Sequence, residues 1–140
     1  MWRSACWGLL NNTDEAYSEL SLAIQDNFAD NGLDMYGGSP PFQIDANFGL
    51  VGAVVQMLVR DLDRASGDAD VQRVLLGPAI PAAWGGGSVE GLRLRGGGVV
   101  NFHWDDDGVV DSCSVDVSGR GSVSQLEFFV SGGQALECSR

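Results

Sequence analysis

The feature that most constrains this chain is a change of hydrophobic period near residue 70. Upstream, Ala16, Leu20, Ile24 and Phe28 recur every four residues, the spacing of one helical face. Downstream the period is two. Leu92 and Leu94 alternate with Arg93 and Arg95, and Val100, Phe102 and Trp104 with Asn101 and His103. Cys113, Val115 and Val117 alternate with Ser114 and Asp116, and Leu126, Phe128 and Val130 repeat the pattern. Alternation of this kind marks strands with one buried face. The order of helices first and strands after predicts an α+β chain.

The helical half divides into three segments. Trp2, Cys6, Leu9 and Leu10 fall near one face of a first helix, which reads as if the chain began inside it. A second helix starts after Asn12 or Thr13 as N-cap, carries Asp14 and Glu15 in its dipole-favoured first turn, and ends at Gly32. A loop from about Asn31 to Ile44 contains Gly37, Gly38, Pro40 and Pro41, and the paired prolines require an extended path. A third helix presents Phe48, Val51, Val54, Val55, Leu58 and Leu62 on a broad apolar face, with Gly49, Gly52 and Ala53 allowing close packing. RASGDAD at 64–70 reads as a polar linker. The expected units are therefore residues 1–65, with two or three helices too few to enclose a core alone, and residues 71–140, with five or six strands. Turns at 85–87 (GGG), 96–98 (GGG), 105–108 (DDDG), 119–121 (GRG) and 132–133 (GG) separate the strands, as expected of an antiparallel sheet or sandwich.

Charge excludes some partners. Nineteen acidic residues face eight Lys and Arg, a net charge of −11. Phosphate neutralisation needs cations, which argues against nucleic acid and against an anionic membrane surface. No apolar run reaches the ~18 residues of a membrane span. The start, MWRSACWGLL, lacks the basic n-region and long apolar stretch of a signal peptide. Three cysteines, Cys6, Cys113 and Cys138, have no metal-ligand spacing. Cys113 and Cys138 lie in the strand half and could pair, but the odd count favours small buried thiols. Asn11-Asn12-Thr13 is a glycosylation sequon, meaningful only in a secreted chain.

Chemistry concentrates in PPFQIDANFG at 40–49, where a rigid extended segment enters a helix. Gln43, Asp45 and Asn47 alternate with Phe42, Ile44 and Ala46, so in an extended backbone the three polar groups share a face able to bind hydroxyls. Asp45 also stands where an Asp most often caps a helix, and Gln43 and Asn47 could serve only the backbone.

This segment, followed by an apolar helix ending in MLVR, resembles the signature of family 95 glycoside hydrolases of the 1,2-α-L-fucosidase type, whose usual form is close to HPPFQIDGNFG. VLLGPAIPAAWGGGSVEGLRLRGG at 74–97 is similar to the family's LLPALP-x-AW and G-x-V-x-GL-x-ARGG stretch, and Trp2–Leu10 to its WR-x-x-LW segment. The likeness covers most of residues 1–105. It implies the last helices of an (α/α)6 barrel followed by a small antiparallel β-sandwich-like domain. It further implies an inverting hydrolase, whose acid and base stand about 6.5–9.5 Å apart. By resemblance Asp45 falls on the carboxylate that helps activate water, and Gln43 and Asn47 flank it as substrate contacts. The family's general acid, a Glu, and its partner asparagines lie upstream of any segment matched here. Ser39 replaces the family's His before the prolines, and Ala46 its Gly.

The resemblance implies a fucosylated or galactosylated glycan as substrate, no metal or cofactor, and a secreted setting. The chain alone is expected to be inactive for want of the general acid. The alternative is a non-catalytic β module that binds glycans or docks another domain. Other candidates read as structural. His103 is expected to face outward on a strand, Asp105, Asp106, Asp107 and Gly108 to form a hairpin turn rather than a calcium loop, and Trp84 to pack between the two halves. Glu15 and Glu19 read as solvated helix surface, and Glu90 as a weak acid candidate.

Overall fold

The computed structural model describes residues 1–35, 42–62, 71–95, 97–118 and 125–140. Gly37, Gly38, Ser39, Pro40 and Pro41, the 64–70 linker, Gly96 and the 119–121 turn lie outside the described residues. The described chain contains α1 (Trp2–Leu9), α2 (Thr13–Asn27) and α3 (Ile44–Leu58). Strands β1 (Val59–Leu62), β2 (Val71–Leu76), β3 (Gly87–Arg93), β4 (Val99–Trp104), β5 (Val110–Asp116), β6 (Gln125–Val130) and β7 (Ala135–Leu136) follow, with a 3-10 turn at Ala82–Trp84.

Asn12 is the N-cap of α2, its side chain accepting the Glu15 N–H at 3.1 Å. The helix stops at Asn27, earlier than Gly32, because Phe28 turns to an extended conformation (ψ 133°) and bridges to Asp34. Gly32 sits instead in the tight turn that follows. Helix α3 also ends earlier than the apolar spacing predicts. Val59 is extended, and Val59 to Leu62 pair antiparallel with Leu76 to Arg73 as strand β1. A β-branched residue is at ease in that conformation.

The expected inward face of α1 is in fact open. Trp2, Leu9 and Leu10 are 75%, 45% and 69% exposed, while Ser4 and Gly8 are buried. Ser4 Oγ donates to the Ala16 carbonyl at 2.7 Å and ties α1 to α2. A Cβ at Gly8 would stand 3.4 Å from the Gln56 carbonyl oxygen, so glycine there permits the close approach of α1 to α3.

The strands form a four-stranded sheet in the order β1-β2-β6-β7 and a three-stranded sheet in the order β3-β4-β5. The second is antiparallel throughout, as expected. The first is mixed. β2 and β6 run parallel, from Val71 opposite Gln125 to Leu76 opposite Val130, which corrects the all-antiparallel expectation. Parallel neighbours need a long crossover, and here that crossover contains the whole three-stranded sheet. One apolar cluster joins both sheets, with Val74, Leu76, Val100, Phe102, Phe128 and Val130 at its centre and Leu58 and Val59 arriving from the end of α3. A smaller cluster holds the helices together through Ala16, Leu20, Ala53 and Met57. Trp84 is half-buried and packs against both clusters, as its position between the halves predicts.

Turn chemistry follows the sequence. Asp105 Oδ1 accepts the N–H groups of Asp107 and Val109, and Gly108 N–H reaches the Asp105 carbonyl, closing the β4–β5 hairpin. The cysteine expectation is corrected. Cys113 and Cys138 form a disulfide, and Cys6 is exposed rather than buried. The pairing was open to misjudgement because Cys138 lies beyond the last strand, where alternation says nothing of its neighbours. Ser139 exchanges backbone hydrogen bonds with Cys113 and Val115, which lays the chain end beside β5.

Two outcomes test this architecture. Gly77 has φ +61°, and a Cβ there would fall 2.6 Å from Val110 Cγ2. Gly77→Ala is expected to lower stability by about 1–2 kcal/mol from the left-handed backbone alone, read as a lower urea midpoint at unchanged slope. An unchanged midpoint would refute the tight joint. The disulfide closes a loop with a sequence separation of 25, and in the chain-entropy description its removal by Cys113→Ser with Cys138→Ser costs roughly 3–4 kcal/mol. A melting temperature insensitive to both changes would contradict that bracing.

Candidate functional site

The described part of the signature segment begins at Phe42. Gln43 is the N-cap residue of α3, in extended conformation, and its N–H donates to the Asp34 carbonyl at 3.1 Å. Asp45 follows in the first helical turn, where the helix dipole favours a negative charge. It makes no capping hydrogen bond, so the cap role expected of it is corrected. The helix begins at Ile44, two residues earlier than a capping Asp45 requires.

That early start also changes the arrangement of the three polar residues. In a helix, positions two apart point to nearly opposite sides. Gln43 and Asp45 line one pocket of about 580 Å³, whereas Asn47 is not among its lining residues. Asn47 turns to the preceding loop instead. Its Oδ1 accepts the Asp34 N–H at 2.9 Å, and its Nδ2 donates to the Gly32 carbonyl at 2.7 Å. Both ends of the amide are thereby committed to the backbone.

The pocket is built between the three helices. Its floor is small, with Ala5 from α1, Ala23 from α2 and Gly49, Gly52 and Ala53 from α3. A Cβ at Gly49 would lie 3.1 Å from Met1 Cβ, while one at Gly52 would meet nothing within 4 Å. Small side chains thus leave the space open beneath Asp45. Ala46, at the family's glycine position, sits within the helix and also lines the pocket.

Asp34 is the residue the sequence reading overlooked. It is 3% exposed and lines the same pocket as Gln43 and Asp45. Its N–H and carbonyl are held by Asn47 and Gln43. The available signal was its position between Leu33 and Met35, where a carboxylate flanked by apolar residues must be buried with a purpose or exposed at their expense. The exposed Asp45 carboxylate, with the Gln43 amide beside it in the pocket lining, can accept hydrogen bonds from hydroxyls and draw a proton from water.

The remaining candidates stay outside this pocket. His103 is exposed on β4, with Nδ1 3.0 Å from the Asp111 carboxylate. Hydrogen bonds from His103 and Ser112 hold the Asp111 carboxyl below the usual range. Glu90 is exposed on β3, and Glu15 is exposed on α2. Glu19 pairs with Arg3 at 3.2 Å. Among the described residues no group of three or more His, Cys, Asp or Glu could hold a metal ion, and no helix is long and apolar enough to cross a membrane.

A model of the glycosyl hydrolase family 95 catalytic domain matches residues 1–58, the part that contains the pocket, and a model of the family's C-terminal domain matches residues 69–128. A probable alpha-fucosidase A from Aspergillus niger is 76% identical over 143 residues, covering 99% of this chain and 18% of that protein. A probable alpha-fucosidase A from Aspergillus oryzae is 59% identical over 120 residues, covering 81% of this chain and 17% of its own length. An alpha-L-fucosidase 2 from Arabidopsis thaliana is 36% identical over 119 residues, 79% of this chain and 13% of that protein. The chain therefore spans less than a fifth of the length of these relatives. With a family model on the helices, a second on the strands and these relatives spanning both, the chain belongs to glycoside hydrolase family 95.

Proposed function

We propose that this chain is the carboxy-terminal portion of an inverting α-L-fucosidase-type hydrolase acting on fucosylated glycans. In this reading α1, α2 and α3 are the last helices of an (α/α)6 barrel, residues 1–65 its final part, with Val59–Leu62 already crossing into the sheet as β1, and residues 71–140 form the β-sandwich-like domain that follows. Asp45 is the carboxylate that helps activate water, Gln43 contacts the sugar beside it, and Asn47 acts by holding the Asp34 loop in place. The observation that carries the reading is the pocket itself, with Asp45, Gln43 and Asp34 around a floor of small residues.

Inversion needs a general acid across the sugar from the base, at about 6.5–9.5 Å. By the resemblance, the family's acid is a Glu that lies upstream of the segments matched here. The pocket carboxylates come from one loop and one helix entry, which supports a half-site that a further wall must complete. The chain by itself is therefore expected to be inactive.

Three measurements bear on this. The isolated chain should show no turnover of an aryl α-L-fucoside or a 2′-fucosylated oligosaccharide. Turnover that disappears in Asp45→Asn would overturn the expectation. Joined to the preceding barrel sequence, the protein should hydrolyse the fucoside, and Asp45→Asn should then reduce kcat about 100-fold or more, the usual contribution of a positioned base. Wild-type rates in that variant would remove Asp45 from the mechanism. Asn47→Ala strands the Asp34 N–H and the Gly32 carbonyl, each worth about 1–3 kcal/mol if left without a partner. It should lower the melting temperature, and an unaltered melt would show that the clamp contributes nothing.

A further inference from the structure

The sequence holds a single N-x-Ser/Thr pattern, Asn11-Asn12-Thr13. A pattern this short arises often by chance, so its surroundings decide its meaning. Asn11 lies in the turn between α1 and α2 with φ +57°, a left-handed conformation that asparagine tolerates better than most residues. The two asparagines divide their work. Asn12 spends its side chain capping α2. Asn11 is exposed, and among the described residues its side-chain amide makes no hydrogen bond.

There is room beside it. A shallow groove of about 300 Å³ runs from Asn11 along the outer face of the mixed sheet, past Arg60, Leu62, Arg73 and Phe129. Arg73 stands 4.9 Å above the Phe129 ring, and Arg60 donates to the Leu9 carbonyl at the end of α1. An apolar floor with cationic donors at its edge accommodates an N-acetylhexosamine, which has an apolar face and several hydroxyl and amide oxygens. The position is also remote from the candidate site. Met1, Trp2 and Ala5 line the Asp45 pocket at the start of α1, and Asn11 follows its far end, about 12 Å away along the axis at ~1.5 Å per residue.

A second observation, independent of the first, concerns compartment. Cys113 and Cys138 are joined, and such bonds form and persist in oxidising environments such as the secretory route. N-linked glycans are attached on that same route.

We propose that Asn11 is an N-glycan acceptor. The Asn11 side-chain nitrogen attacks the anomeric carbon of the first N-acetylhexosamine of a polyprenyl-diphosphate oligosaccharide. A C–N bond forms, the anomeric C–O bond to the diphosphate breaks, the lipid diphosphate leaves, and the amide nitrogen loses one proton. Nothing is oxidised or reduced.

The test uses the full chain, expressed behind a secretory leader in a fungal host and purified from the medium. Intact mass and peptide mapping are read before and after treatment with a peptide N-glycosidase. The expected result is one glycan per chain, with aspartate at position 11 after its removal. Asn11→Gln and Thr13→Ala should each abolish the added mass, and Thr13→Ser should retain it. The Cys113–Cys138 bond in the same molecules reports passage through the oxidising route. A secreted, disulfide-bonded chain with unmodified Asn11 overturns the proposal, as does added mass that persists in Asn11→Gln.

Discussion

The structure depends on a joint at the end of α3. The last carbonyls of a helix have no partner within it and must find one elsewhere. Here the segment after β2 supplies two. Ala79 N–H donates to the Met57 carbonyl at 3.1 Å, and Gly77 N–H to the Leu58 carbonyl at 2.8 Å. The side chains of the same residues divide between the cores. Met57 and Ala79, 0% and 1% exposed, belong to the helical cluster, while Leu58 and Val59 belong to the cluster between the sheets. Helix and sheet are thus not two bodies on a tether. The chain passes from one to the other without a loop, and each closes the end of its neighbour.

That joint fixes the far end of α3 as well. A helix of 15 residues is about 22 Å long at ~1.5 Å per residue. With its C-terminus held by the 77–79 segment, its N-terminus has a defined place, and Asp45 with it. The loop before it is then tied by Asn47 and by the Gln43 N–H, which between them hold Gly32 and Asp34. Backbone hydrogen bonds and the helix entry therefore set where Asp34 and Asp45 stand.

Much of this was legible in the residues. The period change separates helices from strands, the turns at 105–108 and 132–133 fall between paired strands, and the Asn12 cap, the outward His103 and the packing role of Trp84 follow from local pattern. What escaped has a common cause. The α3–β1 transition, the parallel β2–β6 pairing and the Cys113–Cys138 bond are all set by partners distant in sequence, and periodicity is blind to those. The site departs from the sequence pattern for a more local reason. Alternation of Gln43, Asp45 and Asn47 places them on one face only if the backbone is extended, and the helix starting at Ile44 separates Asn47 from the other two. The buried Asp34 carried no motif of its own.

The distribution of exposed apolar side chains supports the proposed function over the alternative of a β module. A β module that binds glycans or docks a partner would carry its sticky surface on the strands. Among the described large hydrophobic residues that are exposed, every one except Val109 lies between Trp2 and Val51. Ile44 at 56%, Phe48 at 70% and Val51 at 62% project from the same helix that carries Asp45, and Trp2 at 75% stands on α1 at the edge of the pocket. Contiguous apolar surface of this kind marks an interaction face. In the proposed function, neighbouring helices of the barrel would cover that face and, by standing beside Asp45, supply the opposite wall of the pocket. The same contact would then exclude water from the helices and bring a general acid to the sugar, which is why the proposed half-site and the open helical surface are best understood as one feature.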